Sequence, residues 1–136
     1  MAYERIISRI NIIEQKITEI EDWCPKEKEQ YISDKKVQAA IERNISVIIQ
    51  AILDICIQFI KLFNLDPPTS DENVINSLRN YLIHTEKILE LKKFHNFLVH
   101  IYGKINSGIV FENALQMIKD IPIIVADFKN LLKKKK

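Results

Sequence analysis

Ile41-Glu42-Arg43-Asn44-Ile45-Ser46-Val47-Ile48-Ile49-Gln50-Ala51-Ile52-Leu53-Asp54-Ile55-Cys56-Ile57-Gln58-Phe59-Ile60-Lys61-Leu62 is the stretch that decides the fold. It contains neither glycine nor proline, and Ile41, Ile45, Ile48, Ile52, Ile55, Phe59 and Leu62 recur at three- and four-residue steps. That period belongs to one face of an α-helix. Ser33 or Asp34 is placed to cap it, and the pattern runs on to about Asn64, roughly 45 Å at 1.5 Å per residue. A second stripe, Ile49, Leu53, Cys56, Ile60 and Phe63, lies beside the first. Together they are wider than one neighbouring helix covers. Either this half of the helix sits in the middle of a bundle or one stripe meets a second copy, and in a chain this small a homodimer is the favoured expectation.

Outward from that helix the chain reads as more of the same class. Ile6, Ile10, Ile13, Ile17 and Ile20 make an amphipathic helix from Tyr3 to about Asp22, which Trp23-Cys24-Pro25 stops, and Lys26 to Tyr31 forms a short helical piece. Leu65-Asp66-Pro67-Pro68 is a rigid break. Thr69 with Glu72 reads as a capping box for a short helix to about Ile83. Another helix runs from Thr85 or Glu86 to about Tyr102 and ends at Gly103. The last helix starts at Asn106 or Ser107 with Ile109, Leu115 and Ile118 inward; Pro122 forces a kink or restart before Phe128, Leu131 and Leu132. His84 receives no role. The expected fold is all-α: an antiparallel four-helix up-and-down bundle with one or two short extra helices, homodimeric. The expected domain is single, spanning residues 1–136, with Lys133 to Lys136 as a basic frayed tail.

Composition agrees. The chain has 136 residues, 47% of them hydrophobic, with only 2 Gly and 4 Pro, which favours long regular elements over hairpins. A formal net charge of +2 is too small to identify a nucleic-acid protein by itself. Cys24 and Cys56 fit no metal-ligand or redox spacing, so neither metal nor cofactor is expected. No uninterrupted apolar run approaches the roughly 20 residues of a membrane span, and a cytoplasmic protein without a membrane is the expectation.

Polar groups inside this apolar pattern mark the candidate site. Arg43, Gln50, Asp54 and Gln58 return to nearly one direction on the long helix, and Asp54, between Leu53 and Ile55, is either partly buried and in need of donors or part of a solvated strip. Two of the three histidines and a tyrosine fall in Lys93 to Tyr102. On an ideal helix His95 shares a face with Ile88, Leu91, Leu98 and Tyr102, while His100 points about 140° away with Asn96. To act together they need a break in the helix or a symmetry mate; otherwise His95 is simply a core or interface histidine.

His95-Asn96-Phe97-Leu98-Val99-His100-Ile101-Tyr102 resembles the Arg-x-x-x-x-His-x-Tyr signature of the HepT-like branch of the HEPN superfamily. Asp34 to Gln38 with Ile41 to Asn44, Ala51 to Ile55, and Asn64 to Pro68 resemble that family's long helix and following loop in order and spacing, and the likeness spans about Arg5 to Phe128. It implies a helical dimer paired with a minimal, MntA-like nucleotidyltransferase antitoxin, and a metal-independent endoribonuclease acting on RNA. Transferred by position, His100 is the acid/base histidine and Tyr102 the tyrosine that the antitoxin modifies with AMP, adding bulk and negative charge where an RNA phosphate must bind. An imidazole can take a proton from a ribose 2′-hydroxyl or give one to the leaving oxygen near neutral pH.

One departure stands out. The family's phosphate-binding arginine is His95 here, shorter and without a planar fork. Either His95 substitutes and forms a pair with His100, or Arg43, Lys92 or Lys93 supplies the cation, or the chain is a non-cleaving partner of the nucleotidyltransferase. The candidate set is therefore His100, His95 and Asn96 as catalytic groups, Asp54 orienting an imidazole and Arg43 in support, and Tyr102 as the modified residue.

Overall fold

A computed structural model of the chain describes residues 1–100 and 107–135, with side chains for all of these except 99, 100 and 135. Every regular element among them is helical: α1 (Ala2–Trp23), α2 (Lys28–Ser33), α3 (Lys35–Leu62), α4 (Asp71–Asn76), α5 (Thr85–His100) and α6 (Ser107–Lys135). The all-helical class and the placing of four long and two short helices follow the sequence pattern closely.

The long helix is α3, and its start is chemical as well as hydrophobic. The Asp34 carboxylate accepts the Val37 N–H at 3.1 Å, which satisfies one of the donors that a helix N-terminus leaves open. Past its end, Asn64 takes a positive φ of 54°, a conformation asparagine tolerates better than most residues, and Pro67-Pro68 follow. α1 runs antiparallel along it, with residues near position 16 facing Asn44 and residues near position 5 facing Asp54. Ile6, Ile10, Ile13, Ile17 and Ile20 of α1 close on Ile41, Ile45, Ile48, Ile52 and Ile55 in one continuous core.

Three sequence expectations change here. The second stripe of α3 is covered within the chain itself: Ile49, Cys56 and Ile60 are buried, and Leu53 and Phe63 pack against the core, since α4, α5 and α6 all pack on α3. The width of the apolar face therefore supplies no argument for a dimer. The cap of α4 is Ser70 rather than Thr69; its hydroxyl accepts the Asn73 N–H at 3.0 Å, and Asn73 Oδ1 returns to the Thr69 N–H at 3.2 Å. This is the reciprocal logic of a capping box shifted by one residue. α4 itself stops at Asn76, and turns lead on to α5.

α6 is the largest departure. It continues through Pro122 to Lys135 as one helix, without the restart that was expected there as the alternative to a kink. Its inward face is also rotated. Ile109 and Leu115 are 39% and 38% exposed, while Val110, Phe111, Ala114, Met117, Ile121, Ile124, Val125 and Phe128 are buried. Apolar residues occur on both sides of this helix, so periodicity alone did not separate the core track from the outer one.

α3 is also the one helix among the described residues long and apolar enough to cross a membrane. Its isoleucines face the other helices of the chain.

Candidate functional site

α5 carries the histidine cluster. Ile88, Leu91, Phe94 and His95 form its buried side, and Asn96 is exposed one position on. His95 is 9% exposed, with both ring nitrogens shut off from solvent. This is the core position that the helical wheel allowed, and it keeps the imidazole from standing open to a phosphate in the way an arginine fork would. The His100 side chain and the whole of Tyr102 lie outside the described residues. So does the end of the helix at Gly103.

Around Asn96 there is an open cleft of about 440 Å³ between the start of α4 and α5, lined among others by Asp71, Glu72, Glu90, Lys92 and Lys93. Lys92 is committed to Asp71 at 2.9 Å. Lys93 is exposed and forms no ion pair among the described residues, two positions before His95.

The start of α5 is fixed from the far side of the bundle. Asp127 of α6 is buried, and its Oδ2 accepts the N–H groups of both Ile83 and His84 at 2.9 Å. A charged acceptor inside the protein meets two backbone donors that would otherwise be unpaired. Lys87 to Asp120 at 3.2 Å adds a second tie between α5 and α6. These contacts set where α5, and with it the motif, enters the bundle. Sequence reading missed Asp127, which there is only one polar residue in an apolar run.

Asp54 has different partners from those expected. Its Oδ2 accepts Nε–H from Arg5 at 2.8 Å and from Arg9 at 2.9 Å, and its Oδ1 accepts from Gln58 at 3.4 Å. Burial pushes this carboxyl up, but the two arginines and Gln58 outweigh it and hold it below the usual carboxylate range. The carboxylate thus organises guanidinium groups of α1 instead of standing free to orient an imidazole. The polar line on α3 also splits: Arg43 and Gln50 are exposed, while Gln58 is buried. Arg43 makes no ion pair among the described residues.

No three His, Cys, Asp or Glu side chains among the described residues converge as metal ligands would.

The family model described as "Ribonuclease HepT-like" matches residues 13–128. The chain belongs to the HepT-like family. No curated protein matches it. Among solved structures, the tri-AMPylated HEPN toxin of Shewanella oneidensis in complex with its MNT antitoxin superposes with a TM-score of 0.82 at 22% identity, covering 93% of this chain and 97% of that one. A mutant MntA toxin–antitoxin complex gives the same TM-score and identity over 93% and 98% of the two chains, and another gives 0.71 at 19% identity over 96% and 95%. At these identities the likeness establishes the fold, which is that of HEPN toxins.

Proposed function

We propose that this HepT-like chain is the toxin of a type VII toxin–antitoxin pair, an endoribonuclease that needs no divalent metal and is neutralised when a minimal nucleotidyltransferase adds AMP to Tyr102. The observation that carries the reading is the family match across residues 13–128, which includes the stretch from His95 to Tyr102. The relatives with this fold are toxins held by such an antitoxin, one of them carrying AMP.

His100 is the acid/base group. It takes the proton of a ribose 2′-hydroxyl, the oxygen attacks the adjacent phosphorus, and the bond to the 5′-oxygen breaks with that oxygen leaving protonated. The products are a 2′,3′-cyclic phosphate and a 5′-hydroxyl, with no oxidant or metal required. Asn96, exposed on the same turn of α5 as His95, supplies a hydrogen bond to the phosphate. His95 acts from inside the helix as a positioning residue, because its ring nitrogens do not meet solvent. Lys93 and Arg43 are the exposed cations available to the site. A homodimer would let the divergent faces of α5 meet across a two-fold axis.

The test is cleavage of a ribo-oligonucleotide in excess EDTA. Wild-type protein is expected to cut it, leaving cyclic-phosphate ends, and His100→Ala to lose at least about a hundredfold in rate. Equal rates in the two, with contaminating nuclease excluded, would overturn the role of His100.

A second reading is favoured by the burial of His95. With the family's arginine replaced by an enclosed imidazole, the chain would serve as a non-catalytic helical partner of the nucleotidyltransferase. It predicts tight co-purification, Tyr102 bearing AMP, and no nuclease activity. His95→Arg separates the two: a large gain in cleavage means that the native chain lacks the phosphate clamp.

A further inference from the structure

The groove between α1 and α3 holds a charge arrangement that the motif on α5 does not use. Arg5 and Arg9 lie one turn apart on α1 and both direct Nε–H at the same oxygen of Asp54. One carboxylate faces two guanidinium groups, so the cluster keeps a net positive charge. Only the Nε–H of each arginine is used in this contact, and the Nη groups make no other hydrogen bond among the described residues. The Arg5 side chain is 51% exposed and that of Arg9 29%. Both line an open cleft of about 300 Å³ with Ile12, Gln50 and Asp54, and Arg5 continues into a neighbouring cleft with Lys61. Lys61 is exposed and forms no ion pair among the described residues. Arg43 stands further along the same outer side of α3, also exposed.

A simple structural tie would need one arginine. Two guanidiniums clamped through Nε on the lining of an open cleft keep their Nη groups uncommitted among the described residues, and a guanidinium fork suits a pair of phosphate oxygens. Holding them there in the folded protein removes part of the side-chain entropy that binding would otherwise cost. Ile12, Val47 and Ala51 also line the cleft and give it an apolar part against which a sugar or base can lie.

We infer that the α1–α3 groove is a phosphodiester track that holds the RNA strand away from the bond being cut, with Arg5 and Arg9 as the phosphate-binding pair and Lys61 extending it. This rests on the ribonuclease reading above, and it adds contacts to phosphates remote from the scissile one, on a different pair of helices from the motif.

The test uses the full chain and a fluorescein-labelled 2′-O-methyl oligonucleotide, which no ribonuclease can cut through a 2′-hydroxyl. Anisotropy titrations from 50 to 200 mM KCl, written as log affinity against log salt, report phosphates contacted at about 0.7 per contact. Arg5→Gln/Arg9→Gln is expected to weaken binding about tenfold at the lowest salt and to flatten the slope by about 1.4. Lys61→Gln, an exposed substitution with no ion pair to lose, is expected to flatten it by about 0.7, and it decides the matter if the double variant fails to fold. Arg5→Lys/Arg9→Lys keeps the slope.

Wild-type slope and affinity in the folded glutamine variants, or no binding by the wild type at 50 mM salt, would overturn the track. So would a change confined to self-association in sedimentation, since that would make the groove a contact between copies. Failure of the ribonuclease reading shows differently: the wild type then binds the 2′-O-methyl strand yet leaves the ribose version intact.

Discussion

At the scale of single residues, side chains with the same formal chemistry separate by surroundings. Cys56 is fully buried, and burial, with Asp127 nearby, pushes its thiol up to about 12, whereas Cys24 is only partly covered and is raised by burial alone. The thiolate is the nucleophile. Iodoacetamide under native conditions is therefore expected to label Cys24 slowly and to spare Cys56, with both labelled in denaturant, as read by peptide mass spectrometry. The carboxylates split in the same way. Asp54 is held low, so its stabilising contribution is present above the ordinary carboxylate range, near 3.8, and is lost as pH falls through the lower folded value. Glu42 goes the other way: burial raises it, so ionising it at neutral pH costs stability. Glu42→Gln is expected to raise the urea midpoint at pH 7, and the gain should vanish near pH 4, where the wild-type carboxyl is protonated. An equal gain at both pH values would show that charge is not the cause.

At the scale of elements, the position of α5 depends on one buried carboxylate. Asp127→Ala leaves the N–H groups of Ile83 and His84 without their acceptor and is expected to cost about 1.5 to 3 kcal/mol in urea unfolding. Amide exchange should rise first around residues 83–88, where the lost contacts lie. In α6, Pro122 sits inside the helix on an exposed position and lacks the N–H that would bond back one turn. Pro122→Ala is expected to stabilise the chain, by up to about 3 kcal/mol of helix propensity. An unchanged midpoint would mean that the backbone is bent there in a way that alanine cannot repair. Sequence reading found these elements because glycine, proline and isoleucine spacing mark helices from within. It misjudged the face of α6, since Ile109 and Leu115 are as apolar as Val110 and Phe111 and only the neighbours decide which pair is covered.

Across the whole molecule, one core joins α1, α3, α5 and α6, with Phe59 and Phe128 at a ring separation of 6.0 Å in its middle. Phe59→Ala should therefore cost about 3 to 5 kcal/mol and shift near- and far-ultraviolet dichroism together, as a single cooperative unit would. The class, the order of the helices and the family were legible in the sequence, because isoleucine period, caps and a short motif are local properties of the chain. Of the candidate site, the sequence supplied the residue types and the odd histidine at position 95. Whether that imidazole faces water is not a local property. Three matters were decided only by tertiary packing: the burial of His95, the covering of the second stripe of α3 by its own chain, and the pairing of Asp54 with Arg5 and Arg9 from 45 or more residues away. Periodicity says which side of a helix is apolar, but the partner that a buried polar group finds depends on which helix lies against it.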